Sequence, residues 1–146
     1  MSSPVMRCGY NYGRLTGMDQ FMQRAYELAV QSRDENGAPY GAVIVRGEAI
    51  IGEGRNITHQ NNDPTSHAEI EAIRDAKVQD SYADTVMYAT GLPCIMCAGA
   101  IVRMNIPKVI VGAVPPNNIS LAFMREHGIE VIELDSEACK QLVGLA

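Results

Sequence analysis

The sequence has few aromatic residues and no long apolar run. Its 146 residues include no Trp and only two Phe, so aliphatic side chains and eight Met must fill the core. No apolar stretch approaches the roughly 18 residues that suggest a membrane span. The opening 14 residues also lack the apolar segment of a secretory signal. These absences predict a protein of the cytoplasm that has no membrane partner.

Positive charge and cysteine are also scarce. Lys and Arg number 12 against 17 Asp and Glu, a net charge of −5, whereas proteins that grip nucleic-acid phosphates are usually basic. Four Cys are too few for a disulfide scaffold, but two of them stand three apart, which indicates metal or redox chemistry. The length suits a single domain, residues 1–146, in which residues 1–17 are predicted to be a loosely ordered leader.

The hydrophobic pattern predicts an α/β protein. Helical spacing is found in residues 18–33, 94–104 and 121–127, and Ser66 and Glu69 are spaced as a capping box for a helix that reaches residue 76. Another helix is predicted after Ser136. An apolar hairpin at residues 40–52 is followed by short strands at 85–90, 108–114 and 129–134. This alternation predicts a three-layer α/β/α sandwich around a mixed five-stranded sheet.

Two clusters of chemically active residues fall where helices are predicted to begin. They are His67-Ala68-Glu69 and Pro93-Cys94-Ile95-Met96-Cys97. One imidazole and two thiolates are three zinc ligands that leave a fourth position for water, which is the pattern of a catalytic zinc site. A helix N-terminus favours thiolates because of its partial positive charge. We therefore predict one zinc ion per chain, bound by His67, Cys94 and Cys97.

Glu69 is predicted to be the catalytic acid and base. Two thiolates neutralise the zinc charge, so a base close to the activated water would help. Hydrolytic deamination fits this set, because it replaces a ring amine by water and needs protons moved at each step. A purely structural zinc would need a fourth ligand, and the spare Cys and His residues have no suitable spacing: Cys8, His59, His127 and Cys139.

The H-x-E and P-C-x-x-C arrangement is the signature of zinc deaminases, and the chain resembles the cytidine deaminase-like superfamily. The resemblance covers about residues 21–140 and is strongest to small enzymes of the fungal cytosine deaminase and guanine deaminase type, which act on free nucleobases. Besides the two clusters, it is carried by Pro39-Tyr40-Gly41-Ala42, Gly54-Arg55-Asn56, Ala98-Gly99-Ala100-Ile101 and Ile106-Pro107-Lys108-Val109.

The resemblance also implies substrate contacts. Asn56, eleven residues before His67, occupies the position that pairs with the polar edge of the ring, although an Asn there is equally suited to an Asx turn. The backbone N–H of Ala68 and the carbonyl of Leu92 would frame the reacting edge. Asn117 is the nearest match to an aromatic lid residue. An acidic contact from a further helix of the relatives is expected to be absent from residues 1–146 or to come from another subunit.

Several functions remain open at this level. The leading prediction is release of ammonia from a free base, of cytosine type first, with guanine, isocytosine or pterin-type rings as alternatives. A tRNA adenosine deaminase is the next alternative, but residues 94–146 hold four basic and five acidic residues, which disfavours RNA. A zinc-stabilised, non-catalytic assembly subunit would not need Glu69.

The predicted helix at residues 94–104 indicates self-association. It is apolar nearly all round, and Arg103 is its only charged residue. One side must face the metal and another the sheet, so apolar surface remains. We therefore predict a homo-oligomer, a dimer or higher.

Overall fold

The fold consists of five strands and five helices in residues 18–116 and 118–145, which the computed structural model describes. The predicted leader, residues 1–17, lies outside this range. The elements in chain order are α1 (Gln20–Asp34), β1 (Gly41–Arg46), β2 (Ala49–Arg55), α2 (Ala68–Ala76), β3 (Thr85–Gly91), α3 (Ile95–Met104), β4 (Lys108–Ala113), α4 (Ser120–Glu126), β5 (Glu130–Glu133) and α5 (Glu137–Leu142).

The strands form one mixed sheet in the order β2-β1-β3-β4-β5. β1 is antiparallel to both β2 and β3, whereas β3, β4 and β5 run parallel. Parallel neighbours need crossover connections, which α3 and α4 provide. The β1–β2 turn places Gly47 at φ 62°, a left-handed conformation that glycine adopts without steric cost. The predicted mixed five-stranded sheet is confirmed.

Helices cover both faces of the sheet because side chains alternate along its buried strands. On one face α1 and α5 pack through Met22, Ala25, Leu28 and Cys139 onto Val43, Val45 and Tyr88. On the other face α2, α3 and α4 contribute Ala72, Ile101 and Met124, which meet Ile44, Met87, Val109 and Val131. The predicted three-layer sandwich is therefore confirmed.

The β2 strand packs against α2 without room for a side chain between them. A Cβ added to Gly54 would lie 2.4 Å from the Ala68 carbonyl oxygen and 2.5 Å from the Ala72 nitrogen. Both are backbone atoms of α2, so no rotamer change relieves the clash. Gly54 thus sets the distance between the sheet and the first turn of α2.

β2 is also an edge strand, and charged side chains from both neighbouring helices cover its edge. Asp75 of α2 accepts a hydrogen bond from the backbone N–H of Glu53 at 2.9 Å. Arg24 of α1 binds the Glu53 carboxylate through two hydrogen bonds of 2.8 Å. Such coverage is a common protection of edge strands against pairing with other chains.

The start of α2 differs from the sequence-based expectation. The predicted capping box of Ser66 and Glu69 is wrong, because His67 is the N-cap residue and the helix begins at Ala68. Ser66 belongs to the preceding loop, where its N–H donates to Asp63 and its carbonyl accepts from Ile57.

Among the described residues, no helix is both long and apolar enough to cross a bilayer.

Candidate active site

Two helix N-termini converge at the edge of the sheet where β2 and β3 end, and they bring the predicted ligands together. His67 is the N-cap residue of α2 and Cys94 is that of α3, both with extended backbone. Cys97 follows in the first turn of α3 and is fully buried. The Ile57 N–H donates to the Ser66 carbonyl at 3.0 Å, which ties the loop after β2 to the residue before His67.

The separations of these side chains match a tetrahedral zinc site. His67 Nδ1 lies 3.4 Å from Cys94 Sγ and 3.6 Å from Cys97 Sγ, and the three ligand atoms lie within 4.8 Å of one another. With Zn–S near 2.3 Å and Zn–N near 2.1 Å, two vertices of a tetrahedron are about 3.6 Å apart. The donor set and its spacing therefore fit zinc.

Cys97 can act as a thiolate ligand only beside a cation. Burial raises the pKa of the Cys97 thiol, and the neighbouring Glu69 and Cys94 raise it further. A thiolate at this position therefore needs compensating positive charge. The N-terminus of α3 supplies part of it, and a divalent metal supplies the rest, since metal binding removes the thiol proton.

Glu69 lies beside the three-residue group rather than within it. The residue is 5% exposed, and its carboxylate does not belong to the set of mutually close ligand atoms. Burial raises the pKa of the Glu69 carboxyl, an effect that Cys97 and His67 oppose. A buried carboxyl group whose pKa is raised is suited to exchange protons with a substrate.

Asn56 is buried at the end of β2 and forms the Asx turn that its sequence also allowed. Its Oδ1 accepts hydrogen bonds from the Thr58 N–H at 3.1 Å and the Thr58 hydroxyl at 2.8 Å. No hydrogen bond from Asn56 Nδ2 is found to any described residue. The amide nitrogen therefore keeps its capacity to donate, while the oxygen is used by the turn.

The other predicted contacts fall at the same edge where the structure describes them. The Ala68 N–H lies in the first turn of α2, where no carbonyl of the helix can accept it. Leu92 is half-buried, and its N–H donates to the Ala113 carbonyl at 3.0 Å, which fixes the β3–α3 loop against the end of β4. Asn117 lies outside the described residues.

Sequence reasoning gave no role to Tyr40, whose ring lies against Gly91. A Cβ at Gly91 would lie 2.8 Å from the Tyr40 ring, and the Tyr40 carbonyl accepts the Asn56 N–H at 2.9 Å. The ring is 36% exposed, so an aromatic face is available between Asn56 and the loop that carries Cys94. The sequence signal that could have identified Tyr40 is its position in the segment Pro39–Ala42, which carries part of the family resemblance.

Three of the loops at this edge carry almost no charge. Residues 56–67, 91–94 and 114–119 contain no Lys or Arg, and Asp63 is their only acidic residue. None of the exposed residues of the first loop is Lys, Arg, Asp or Glu: they are His59, Gln60, Asn61, Asn62, Pro64 and Thr65. The rim that these three loops form therefore offers no cation for a phosphate.

No second metal cluster occurs in residues 18–116 and 118–145. His59 and His127 are exposed, and Cys139 is buried on the opposite face of the sheet, in contact with Gly112. Cys8 lies outside the described part. Within it, the three-residue group has no fourth protein ligand, which leaves the open position that a catalytic metal needs.

Comparison with known proteins gives consistent results. Residues 16–113 match the family described as the cytidine and deoxycytidylate deaminase zinc-binding region. The tRNA-specific adenosine deaminase of Buchnera aphidicola is 45% identical over 96 residues, which is 64% of this chain and 59% of that protein. The guanine deaminase of Bacillus subtilis is 47% identical over 87 residues, or 57% and 56% of the two chains.

Among solved structures, a tRNA:A34 deaminase that performs A-to-I editing at the wobble position superimposes with a TM-score of 0.75. It is 29% identical, and the match covers 84% of this chain and 97% of that one. The aligned segments span less than 60% of the length of the two curated relatives.

Proposed function

The chain belongs to the cytidine and deoxycytidylate deaminase zinc-binding family, and on this basis we propose that it catalyses hydrolytic deamination of a free amino-heterocycle. The observation that carries the proposal is the arrangement of His67, Cys94 and Cys97 within 4.8 Å next to the buried Glu69. Three ligands, an open position and a proton carrier are the parts that this reaction needs.

Each group has a distinct task in the proposed reaction. His67, Cys94 and Cys97 hold zinc, which when bound makes a water reactive enough to add to a ring carbon near neutral pH. Glu69 accepts a proton from that water and delivers it to the adjacent ring nitrogen. The carbon–nitrogen bond to the exocyclic amine then breaks, and the amine leaves as ammonia after Glu69 has transferred the second proton. Water supplies the oxygen of the product carbonyl, so no other reactant is consumed.

The substrate ring is proposed to lie between Tyr40 and the start of α2. The Nδ2 group of Asn56 donates to an acceptor on the ring, the Ala68 N–H donates to a second, and the Leu92 carbonyl accepts from the leaving amine. A hydrogen-bonding site of this kind rejects rings that leave its groups unpaired. The proposed role of Asn117 as a lid contact remains a prediction.

The lack of Lys and Arg in the rim favours a free base over tRNA. Proteins that bind RNA place Lys or Arg against phosphates, but the three loops around the site have none. The identity of the base is a separate question. Cytosine was the first choice from sequence, whereas the curated relative with 47% identity is named a guanine deaminase, so guanine joins cytosine at the head of the tests.

A tRNA adenosine deaminase is the second candidate function. It is favoured by the 45% identity to the Buchnera enzyme and by the TM-score of 0.75 to a wobble-position deaminase. Incubation with tRNA followed by analysis for inosine distinguishes it from the first candidate. Inosine formation without ammonia release from any free base would replace our proposal.

Self-association and a cytoplasmic location complete the proposal. The exposed side of α3 presents Ile95, which is 47% exposed, and Gly99, where an added Cβ would meet no atom within 4 Å. Met96 and Ala100 lie on the same side and are partly exposed. This apolar stripe adjoins Cys94 and is the surface we propose for contact between copies.

The decisive experiment measures ammonia release by the zinc-loaded protein from cytosine, guanine, isocytosine, pterins and creatinine-like rings. We expect at least one substrate, and Glu69→Gln is expected to lower its turnover about 10²- to 10⁴-fold while zinc remains bound. Turnover within about tenfold of the native rate in this variant would show that another group is the base. No turnover of any compound would favour the non-catalytic assembly subunit.

A further inference from the structure

The backbone carbonyl of Asn56 is held by one side chain of α1 and one of the loop that follows β2. The Ser32 hydroxyl of α1 donates to this carbonyl at 2.5 Å, and Gln60 Nε2 approaches it at 3.3 Å. Gln60 Nε2 also donates to the Ser32 hydroxyl oxygen at 3.1 Å. Ser32 is fully buried, so its hydroxyl group is committed to these partners.

The Glu35 carboxylate, at the end of α1, binds Gln60 and also Arg55, the residue before Asn56. Glu35 receives two hydrogen bonds from Arg55, at 2.7 and 3.1 Å, and a third from Gln60 at 3.3 Å. Arg55 holds the pKa of the Glu35 carboxyl below its usual range, so Glu35 is ionised at neutral pH. Four residues therefore lie on one side of the chain at Asn56, and we call them the α1 clamp: Ser32, Glu35, Arg55 and Gln60.

The remaining polar atoms of Asn56 are held from the other side. Its N–H donates to Tyr40 at 2.9 Å, and its Oδ1 accepts both Thr58 donors. Of the four polar atoms of Asn56, only Nδ2 has no hydrogen-bond partner in the described structure. A side chain fixed at every other polar atom presents its last donor in one direction.

We infer that the α1 clamp positions Asn56 for substrate binding and that Gln60 and Ser32 are its positioning residues. The inference rests on the proposed function, because Asn56 is there the donor to the ring. A donor held in advance loses little conformational entropy when the substrate arrives. A small displacement of such a group is costly, so residues of α1 influence substrate affinity although none of them contacts the ring.

Gln60→Ala tests this inference, since Gln60 is exposed and its removal leaves no cavity. We expect KM for the preferred base to rise about three- to tenfold, the equivalent of one hydrogen bond, with kcat within about twofold and zinc content unchanged. Asn61→Ala is the matched control, because the neighbouring Asn61 is also exposed and its side chain has no described hydrogen bond. Its kinetics should equal those of the native protein.

The same change is then made in an Asn56→Ala background. If Gln60 acts through Asn56, its removal has no further effect on KM there. An equal rise in both backgrounds, or no rise in the native background, would overturn the inference.

A measurement without substrate separates this inference from the proposed function. The side-chain amide of Asn56 is followed by nitrogen-15 relaxation in the zinc-loaded protein. We expect a rigid amide in the native protein and in Asn61→Ala, and a mobile one in Gln60→Ala. Equal rigidity in all three would refute the clamp, whereas the expected change in a protein that deaminates no compound would refute the function and retain the clamp.

Discussion

At the scale of single residues, the N-cap side chains of α2 and α3 do not cap their helices. Ser, Asp or Asn at an N-cap satisfies the first amides of a helix and contributes about 0.5–2 kcal/mol. His67 and Cys94 occupy these positions and make no capping hydrogen bond. Both helix starts are therefore weaker than they need to be, and metal binding is the interaction that offsets the loss.

Cys94→Ala should remove the metal and the stability that depends on it. Zinc that binds only the folded protein stabilises it by about 2.7 kcal/mol at a hundred times its dissociation constant. We expect the variant to carry less than a tenth of an equivalent of zinc and to melt at the same temperature with or without chelator. Elemental analysis and thermal unfolding measure both quantities.

Cys139→Ala provides the control, because Cys139 is a cysteine outside the three-ligand group, buried on the other face of the sheet. It should lose packing stability but keep a full equivalent of zinc and the response to chelator. Full zinc occupancy in Cys94→Ala would refute the assignment of Cys94 as a ligand.

The approximate positions of both site helices were predictable from the sequence, but the cap residue of α2 and the connections between elements were not. Periodicity and the spacing of His67, Cys94 and Cys97 are local signals, and a three-ligand set strongly restricts the possible chemistry. The hydrogen bond from Ser32 to Asn56 joins residues 24 positions apart, for which no periodic pattern exists. The ring of Tyr40 was missed for the same reason, since its neighbour Gly91 is contributed by another strand.

At the scale of elements, the contact between β2 and α2 controls the position of His67. Gly54→Ala would force the Ala68 carbonyl away from the strand, because the two atoms cannot remain 2.4 Å apart. We expect a loss of about 1–3 kcal/mol in unfolding free energy and weaker zinc binding, measured by chelator competition.

Gly99→Ala is the matched control for Gly54→Ala, at a position where a side chain has room. No atom lies within 4 Å of its added Cβ, and alanine in a helix interior is favoured over glycine by about 0.5–1 kcal/mol. It should bind zinc as the native protein does and unfold at a slightly higher temperature. Equal zinc affinity in both variants would contradict the proposed control of His67 by Gly54.

The ion pair between Arg24 and Glu53 predicts a pH-dependent contribution of α1 to stability. Hydrogen bonding from Arg24 lowers the pKa of Glu53 below its ordinary 4.5. The stabilisation is therefore present above that value and is lost as pH falls through the lowered pKa. Glu53→Gln should cost about 0.5–1 kcal/mol near pH 7, a modest figure because the pair is partly exposed.

Urea unfolding over a range of pH measures this effect. The difference between Glu53→Gln and the native protein should shrink from pH 7 to an acidic pH below the lowered pKa of Glu53, where that carboxyl is protonated and carries no charge, as glutamine does. Glu126→Gln, an exposed residue without a described ion pair, should show no difference at either pH. A gap that widened in acid would contradict the assigned direction.

At the scale of the whole molecule, the apolar side of α3 predicts association of identical chains. The chain mass is 15.9 kDa, so light scattering at micromolar concentration should give at least twice that value. Gly99→Arg should reduce the mass to that of one chain, because a cation replaces the open apolar surface. Ala122→Arg adds the same charge at an exposed position of α4 and should not change the mass.

A native protein that is fully active at the mass of one chain would refute this association. If the protein were monomeric without zinc and multimeric with it, the association would depend on the starts of α2 and α3 rather than on the α3 surface.

The covered edge of β2 has a consequence for how the protein can misassemble. An edge strand with free amides is a template on which a foreign strand can grow into a fibril. Here the amide of Glu53 is already taken by Asp75, and Arg24 lies across the same position. An incoming chain meets an amide that is already hydrogen-bonded and a charge that is already paired, so pairing at Glu53 requires the side chains of α1 and α2 to move away first. Resistance to fibril formation is thus tied to the stability of two helices, and conditions that loosen them expose a template that the native fold keeps closed.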